Sequence, residues 1–231
     1  MPNTHHNKNI DASPNKYKNM PKTQYLRDNA EELLNSLTHA VTLGIALMCT
    51  FILVQKAEIA GMTTWPYYLF GISMSTTFLG SVLYHGAVEP VLKSRLRIFD
   101  LLSIFIAIVG GFISLFRIML PTEEFILYTG LSVLVTLTCV FIKFKVFKNS
   151  NSFIPSLGVY LVAGWSNVLF LLDSQCLACP ETSALVLSGG FVYTLGSAFY
   201  LYDYRRYFHT IWHLCASCGF ILHVGALLKM F

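Results

Sequence analysis

The sequence predicts an all-α membrane protein with seven transmembrane helices. Composition is the first reason. Of 231 residues, 55% are hydrophobic and 12% are charged, with a mean hydropathy of +0.58. A soluble domain carries about 25% charged residues, so this chain lacks the charge to cover its own surface and lipid must cover much of it. The second reason is a division into seven apolar stretches, at about 37–55, 65–86, 99–120, 125–142, 153–172, 183–202 and 208–228. Each is of spanning length or close to it, since crossing a bilayer takes ~20 apolar residues. Third, backbone polar groups in lipid must be satisfied within the segment. The stretches are apolar all round, so length and this backbone requirement, rather than periodicity, make them helices.

Residues 1 to about 28 read as a flexible polar tail, rich in Asn and Lys, with too little apolar surface to fold alone. It has no apolar core of the signal-peptide type. His5 and His6 belong to this solvated tail. The membrane domain is expected over 29–231, with connections too short for a soluble domain and no internal repeat.

Asn35 and His39 open the first helix, and Ser81 and His85 close the second. The connection that follows carries Lys93, Arg95 and Arg97. Asp100 opens the third helix, and Arg117 snorkels near its far end. Lys143, Lys145 and Lys148 follow the fourth helix, and Arg205 and Arg206 precede the seventh. Cys176 and Cys179 form a C-x-x-C in a short loop, open to a redox or disulfide role. One such pair is weak evidence for zinc, because a structural site usually needs four ligands. Cys49, Cys139, Cys215 and Cys218 lie in apolar stretches and are expected as small core residues.

Charge sets the orientation. Thirteen of the sixteen Lys and Arg fall in the tail and in alternate connections, against Lys56, Arg117 and Lys229 on the other side. By the positive-inside rule the N-terminus is cytoplasmic and the C-terminus outside. Odd-numbered helices then begin at the cytoplasmic face and even-numbered ones end there. Asn35, His39, Ser81, His85, Asp100, His209 and His213 all fall near that face. This common depth, which the charge count did not assume, argues for one shared site.

The seventh stretch carries the chemistry. His209-Thr210-Ile211-Trp212-His213 puts two histidines four residues apart, on one helix face. Tyr207 to Leu228 has no formal charge, so polar side chains there are functional candidates by default. Catalytic zinc commonly takes three protein ligands and keeps one position for water, and His85, His209 and His213 could supply three imidazoles. Zinc lowers the pKa of its water to ~7, and Asp100 could orient a ligand or take a proton from that water. The alternative for Asp100 is an interfacial ion pair with Arg95 or Arg97. Ser81, one turn before His85, could donate to Asp100 or to substrate, or hydrogen-bond a neighbouring helix or the preceding turn. Asn35 and His39 are expected to support or pack against the site. His223 lies ten residues after His213, ~15 Å along the helix, and is expected as a satisfied buried histidine.

These residues in order resemble the haemolysin III family of the wider progestin and adiponectin receptor superfamily. Glu31-Glu32-Leu33-Leu34-Asn35-Ser36-Leu37-Thr38-His39 resembles its first-helix entry. Ser81-Val82-Leu83-Tyr84-His85 resembles S-x-x-Y-H, and His209 to His213 resembles H-x-x-W-H. Asp100 stands where the third helix of the family carries its aspartate. Gly164-Trp165 and Gly189-Gly190-Phe191-Val192-Tyr193 are similar to patterns in helices five and six. The resemblance implies zinc on His85, His209 and His213, with Asp100 approaching the zinc-bound water. Receptors of the superfamily have been linked to ceramide hydrolysis, and alkaline ceramidases share the constellation. The chain departs from the family at Leu101, where a histidine is common, and at Gly110-Gly111-Phe112-Ile113-Ser114 in place of a G-T-Y-T-P-like run. Both departures bear on the shape of the lipid pocket and leave the metal residues in place.

The expectation is therefore a multi-pass protein of the cell membrane with a cytoplasm-facing zinc site, hydrolysing a lipid amide or ester such as a ceramide. Its partners are membrane lipids, with no nucleic acid among them. The alternatives are a cytolytic protein or receptor with structural zinc and no enzymatic activity, and a haem protein with axial histidines.

Overall fold

The structure, a computed structural model, describes residues 22–146, 153–173 and 180–231. Among these there is no strand. The helices are α1 (Lys22–Ile59), α2 (Trp65–Gly86), α3 (Pro90–Met119), α4 (Thr122–Phe141), α5 (Phe153–Asp173), α6 (Pro180–Leu201) and α7 (Phe208–Leu228), with a π-helical turn at Ile142–Val146 continuing α4. Five are long and apolar enough to cross a membrane: Asn29–Ile59 within α1, α3, Thr122–Lys145, α6 and α7. The chain is a multi-pass integral membrane protein. Its surface agrees with that: Phe51, Ile72, Leu134, Leu137, Val162 and Phe191 all point outward, where a soluble bundle would carry charge. α2 is as long as α6, but Ser73, Ser75, Thr76, Thr77, Ser81 and His85 dilute its apolar character.

Two boundaries differ from the sequence expectation. α1 begins at Lys22, so residues 22–28, expected in the flexible tail, are helical. Residues 1–21 and the Cys176/Cys179 pair lie outside the described residues. α3 begins at Pro90, well before the expected start near 99, so Lys93, Arg95 and Arg97 sit in its first turns. The cause is local. Glu89 caps the helix by accepting from the amides of Val91 at 2.9 Å and Leu92 at 2.6 Å, and Pro90 needs no amide partner at N1. The amides of Leu92 and Val91 hold the Glu89 carboxyl below the usual carboxylate range.

Connections of a few residues separate α2 from α3, α3 from α4 and α6 from α7, so these neighbours run antiparallel. α2 packs most extensively on α3 and α1, and α6 on α7, while α1 against α7 closes the bundle. Close approaches use glycine. A Cβ at Gly110 of α3 would run into the Ser73 side chain of α2, and one at Gly196 of α6 would lie 2.6 Å from Cys215 Cβ of α7. Small residues let membrane helices gain the van der Waals contact that drives their association. Between α2 and α7 the core is aromatic, with Phe220 at 6.0 Å from Phe70 and 5.4 Å from Phe78.

Of the cysteines expected in the core, Cys139 is buried, Cys49 and Cys215 are half-buried, and Cys218 is exposed on the outer face of α7. Arg117 places its guanidinium over the Phe125 ring, 5.8 Å from the centroid. At the same far end Lys229 pairs with Glu181 at 2.6 Å.

Candidate metal centre

The start of α1, the end of α2 and the starts of α3 and α7 meet at one end of the bundle. Ser36 Oγ of α1 donates to the Val82 carbonyl of α2 at 3.2 Å. The amide of Tyr207 donates to Glu31 Oε1 at 3.1 Å. Tyr207 is the residue before α7 and has φ 64°, a left-handed conformation that costs a bulky residue energy. Glu31 thus pins the strained turn that delivers His209 and His213.

His85, His209 and His213 come together as the sequence spacing and depth imply. Each offers a ring nitrogen, and these atoms lie within 4.8 Å of one another, so the cluster could hold a metal ion. His85 and His213 are buried and His209 is half-buried. Ring centroids stand 5.0 Å apart for His85 and His209, 4.9 Å for His85 and His213, and 4.7 Å for His209 and His213. The local cause is α7 itself. Its helical rise brings His209 and His213 one turn apart on one face, and that face meets the last turn of α2.

Supporting contacts surround the cluster. His85 Nδ1 lies 2.9 Å from Glu32 Oε2, and Lys93 Nζ reaches the same oxygen at 2.9 Å. His213 Nδ1 lies 3.0 Å from the Asn35 carbonyl oxygen. Asn35 Oδ1 accepts from the Thr210 hydroxyl at 2.6 Å. His209 Nδ1 has Asp203 Oδ2 at 3.8 Å, beyond hydrogen-bond length. His39 stacks on His213 with centroids 3.8 Å apart and planes 8° from parallel, and meets Phe78 edge-on at 5.2 Å. Among the described residues, its two ring nitrogens and Nε2 of His85 are buried with no hydrogen-bond partner.

Ser81 lies one turn before His85 on α2, and Asp100 lies on the stretch of α3 that faces Gly80. Ser81 is buried on α2. Among the described residues its hydroxyl bonds to neither Asp100 nor the preceding turn. Asp100 lies on α3 across from Gly80, where an added Cβ would come 3.4 Å from Asp100 Cα. It is half-buried, and among the described residues no ion pair joins it to Arg95 or Arg97. Asp100 is not one of the residues whose ligand atoms converge. His223 is buried far along α7, with Nε2 3.4 Å from the Val186 carbonyl of α6. It is a packing histidine, as its ten-residue distance from His213 implies.

Sequence reasoning used Lys93 only for topology, named Thr210 only within its motif, passed over Asp203, and gave Glu32 no role of its own. For Glu32 a signal existed. Glu32, Asn35 and His39 follow i, i+3, i+7 spacing, one face of a helix, and that face is the one turned to α2 and α7.

Comparison with known proteins agrees with this architecture. The profile of the family described as Haemolysin-III related matches residues 27–224. A protein named hemolysin-3 homolog from Bacillus subtilis (strain 168) is 27% identical over 186 residues, covering 79% of this chain and 86% of its own. A hemolysin-3 from Bacillus cereus is 26% identical over 199 residues, covering 85% and 89%. A match over most of the membrane domain, with the converging histidines inside the matched span, makes this chain a member of the haemolysin III family.

Proposed function

We propose that the protein is a zinc-dependent hydrolase of the cell membrane that acts on a lipid amide or ester of the ceramide type. The observation that carries this reading is the convergence of three imidazoles at one end of a membrane bundle. Nitrogen donors suit zinc. His85, His209 and His213 would hold the ion, since their ligand atoms lie within 4.8 Å of one another. A buried Nε2 of His85 with no protein partner is also what a ligand position requires, because an unsatisfied buried nitrogen is costly.

All seven helices span the bilayer in this reading. The N-terminus is cytoplasmic and the C-terminus outside, because the basic residues gather at the histidine end. Bound zinc supplies Lewis acidity and lowers the pKa of water in its open position to ~7. Asp100 is the proton acceptor: it lies on α3 across from Gly80 of α2, and among the described residues no ion pair engages it. Ser81, a turn from His85, positions the polar group of the lipid through its hydroxyl. Lipid reaches the site from the surrounding apolar surface, and half-buried His209 leaves the site open at one side.

The test is metal analysis of the purified protein, then turnover of a panel of ceramides, other lipid amides and esters, with Asp100→Asn alongside. The expected result is about one zinc per chain. Asp100→Asn should keep that zinc and lose hydrolysis by ~10²–10⁴-fold, the scale for a positioned acid or base. Loss of zinc in the variant would make Asp100 a ligand, and unchanged turnover would remove it from the mechanism. Failure of the wild-type protein across the panel would overturn the hydrolase reading.

A second reading, a structural metal in a non-enzymatic cytolytic protein or receptor, draws on His39. It stacks on His213, and among the described residues its two buried ring nitrogens have no hydrogen-bond partner, so a further imidazole lies beside the triad, outside the set whose ligand atoms converge. A closed four-nitrogen site would show in cobalt spectra as the loss of an exchangeable position.

A further inference from the structure

Glu32 bonds to the Nδ1 edge of His85. A neutral imidazole carries one N–H, on either Nδ1 or Nε2. An ionised carboxylate only accepts. The 2.9 Å contact between His85 Nδ1 and Glu32 Oε2 therefore places the proton on Nδ1 and leaves the lone pair on Nε2. That Nε2 is the buried atom with no protein partner, in the ring that stands about 5 Å from both other histidines of the cluster. His213 obeys the same logic with a backbone partner, since a carbonyl oxygen only accepts: its Nδ1 donates to the Asn35 carbonyl at 3.0 Å.

Glu32 is in turn held. Lys93 Nζ donates to the same Oε2 at 2.9 Å and also reaches the carbonyls of Ala87 at 3.3 Å and His85 at 3.5 Å. It therefore joins the entry of α1 to the C-terminus of α2 and the first turn of α3. Its ammonium sits over the Tyr84 ring at 5.1 Å, which restricts it further. The arrangement is Lys93–Glu32–His85, a cation orienting a carboxylate that orients an imidazole. Asp203 has no comparable hold on His209, at 3.8 Å.

We propose that Glu32 is a positioning residue for the metal centre, fixing His85 in the Nδ1-protonated tautomer with Nε2 turned to the ion, and that Lys93 fixes Glu32. The inference rests on the metal-site reading above. A carboxylate behind a ligating histidine orients the ring and raises its basicity, and removing such a partner typically lowers metal affinity 10–100-fold. Glu32→Gln is the informative change. It keeps the shape but removes the charge, and its amide can turn an N–H toward Nδ1, which selects the wrong tautomer. Glu32→Asp keeps the charge on a shorter stem. Lys93→Met keeps the Glu32–His85 contact and removes only the cation behind it.

The full-length protein in detergent is titrated with zinc against a competing chelator, with thermal unfolding of the metal-free form measured for each variant. Ring-15N histidine NMR of the metal-free wild-type protein reads the His85 tautomer directly. The expected result is a zinc Kd ~10–100-fold weaker for Glu32→Gln, partial recovery for Glu32→Asp and a smaller loss for Lys93→Met. Metal-free unfolding should shift little, and His85 should carry its proton on Nδ1. Equal zinc affinity in wild type and Glu32→Gln overturns the role of Glu32 and leaves the metal site standing. A wild-type His85 protonated on Nε2 overturns it even if every variant fails to fold. A wild-type protein with no zinc affinity overturns the metal-site reading together with this one.

Discussion

Replacing His213 with Ala tests the proposed metal centre at its most buried candidate ligand. In four-ligand zinc-finger peptides, apparent binding is worth ~10–16 kcal/mol, or roughly 3–4 kcal/mol per ligand. Loss of one donor from a three-histidine set should therefore weaken zinc ~10²–10³-fold. His213 also stacks on His39 at 3.8 Å and bonds to Asn35 at 3.0 Å, so the variant loses packing as well. The assay must separate these two losses. Thermal unfolding is recorded with chelator and with zinc at ~100 times the wild-type Kd, where binding stabilises the wild-type fold by ~2.7 kcal/mol. At the same zinc concentration the variant should gain only ~0.4 kcal/mol or less, however unstable its metal-free form has become. His223→Ala is the control. It deletes an equally buried histidine at the far end of α7, so it should lower the metal-free baseline and keep the full zinc-dependent rise. A His213→Ala protein that gains as much from zinc as the wild type refutes the ligand assignment, whatever its baseline stability.

Two further outcomes test the frame around the site. Reporter fusions should place the N-terminus in the cytoplasm and the C-terminus outside, and the reverse result would put the histidine end at the outer face. Gly110→Ala brings a Cβ within 2.7 Å of Ser73 Cβ and should cost ~1–3 kcal/mol by overpacking. Adding Ser73→Gly should restore much of that loss, as judged by thermal unfolding of the two variants.

How much of this was readable in the residues depends on which physical rule applied. The helices were legible because a nearly charge-free run of spanning length has few other uses. The triad was legible because two independent patterns met: the i, i+4 pair in α7, and a charge asymmetry that put His85 at the same depth. The start of α3 was not read, although Glu89 and Pro90 are a cap and an N1 proline. The basic run after them looked like a loop. Three cations can lie in the first turns because their side chains reach out, and Lys93 finds Glu32. The Glu32–His85 contact joins residues 53 positions apart, and spacing alone reports only the face on which Glu32 lies. The stack of His39 on His213 depends on the rotation of α1 against α7, for which uniformly apolar helices carry no periodic signal.

That rotation explains why α1, which supplies none of the three converging imidazoles, is the element on which the site depends. Glu31 holds the amide of Tyr207, Glu32 holds His85, Asn35 holds Thr210 and His213, and His39 lies flat against His213. These contacts occupy a little over two helical turns of α1, on the side that faces α2 and α7. A turn lower, Thr42 continues the seam through Ser217 at 2.7 Å. In lipid, a helix gains little by hydrophobic burial against its neighbours. Polar contacts of this kind therefore fix where α1 sits and how it is turned. Without them α2 and α7 would still carry three histidines, but two adjacent helices do not determine which ring nitrogen each histidine presents. α1 makes that choice for His85 through a carboxylate and for His213 through a carbonyl. The three converging imidazoles are written in α2 and α7, and the contacts that orient two of them are written in α1.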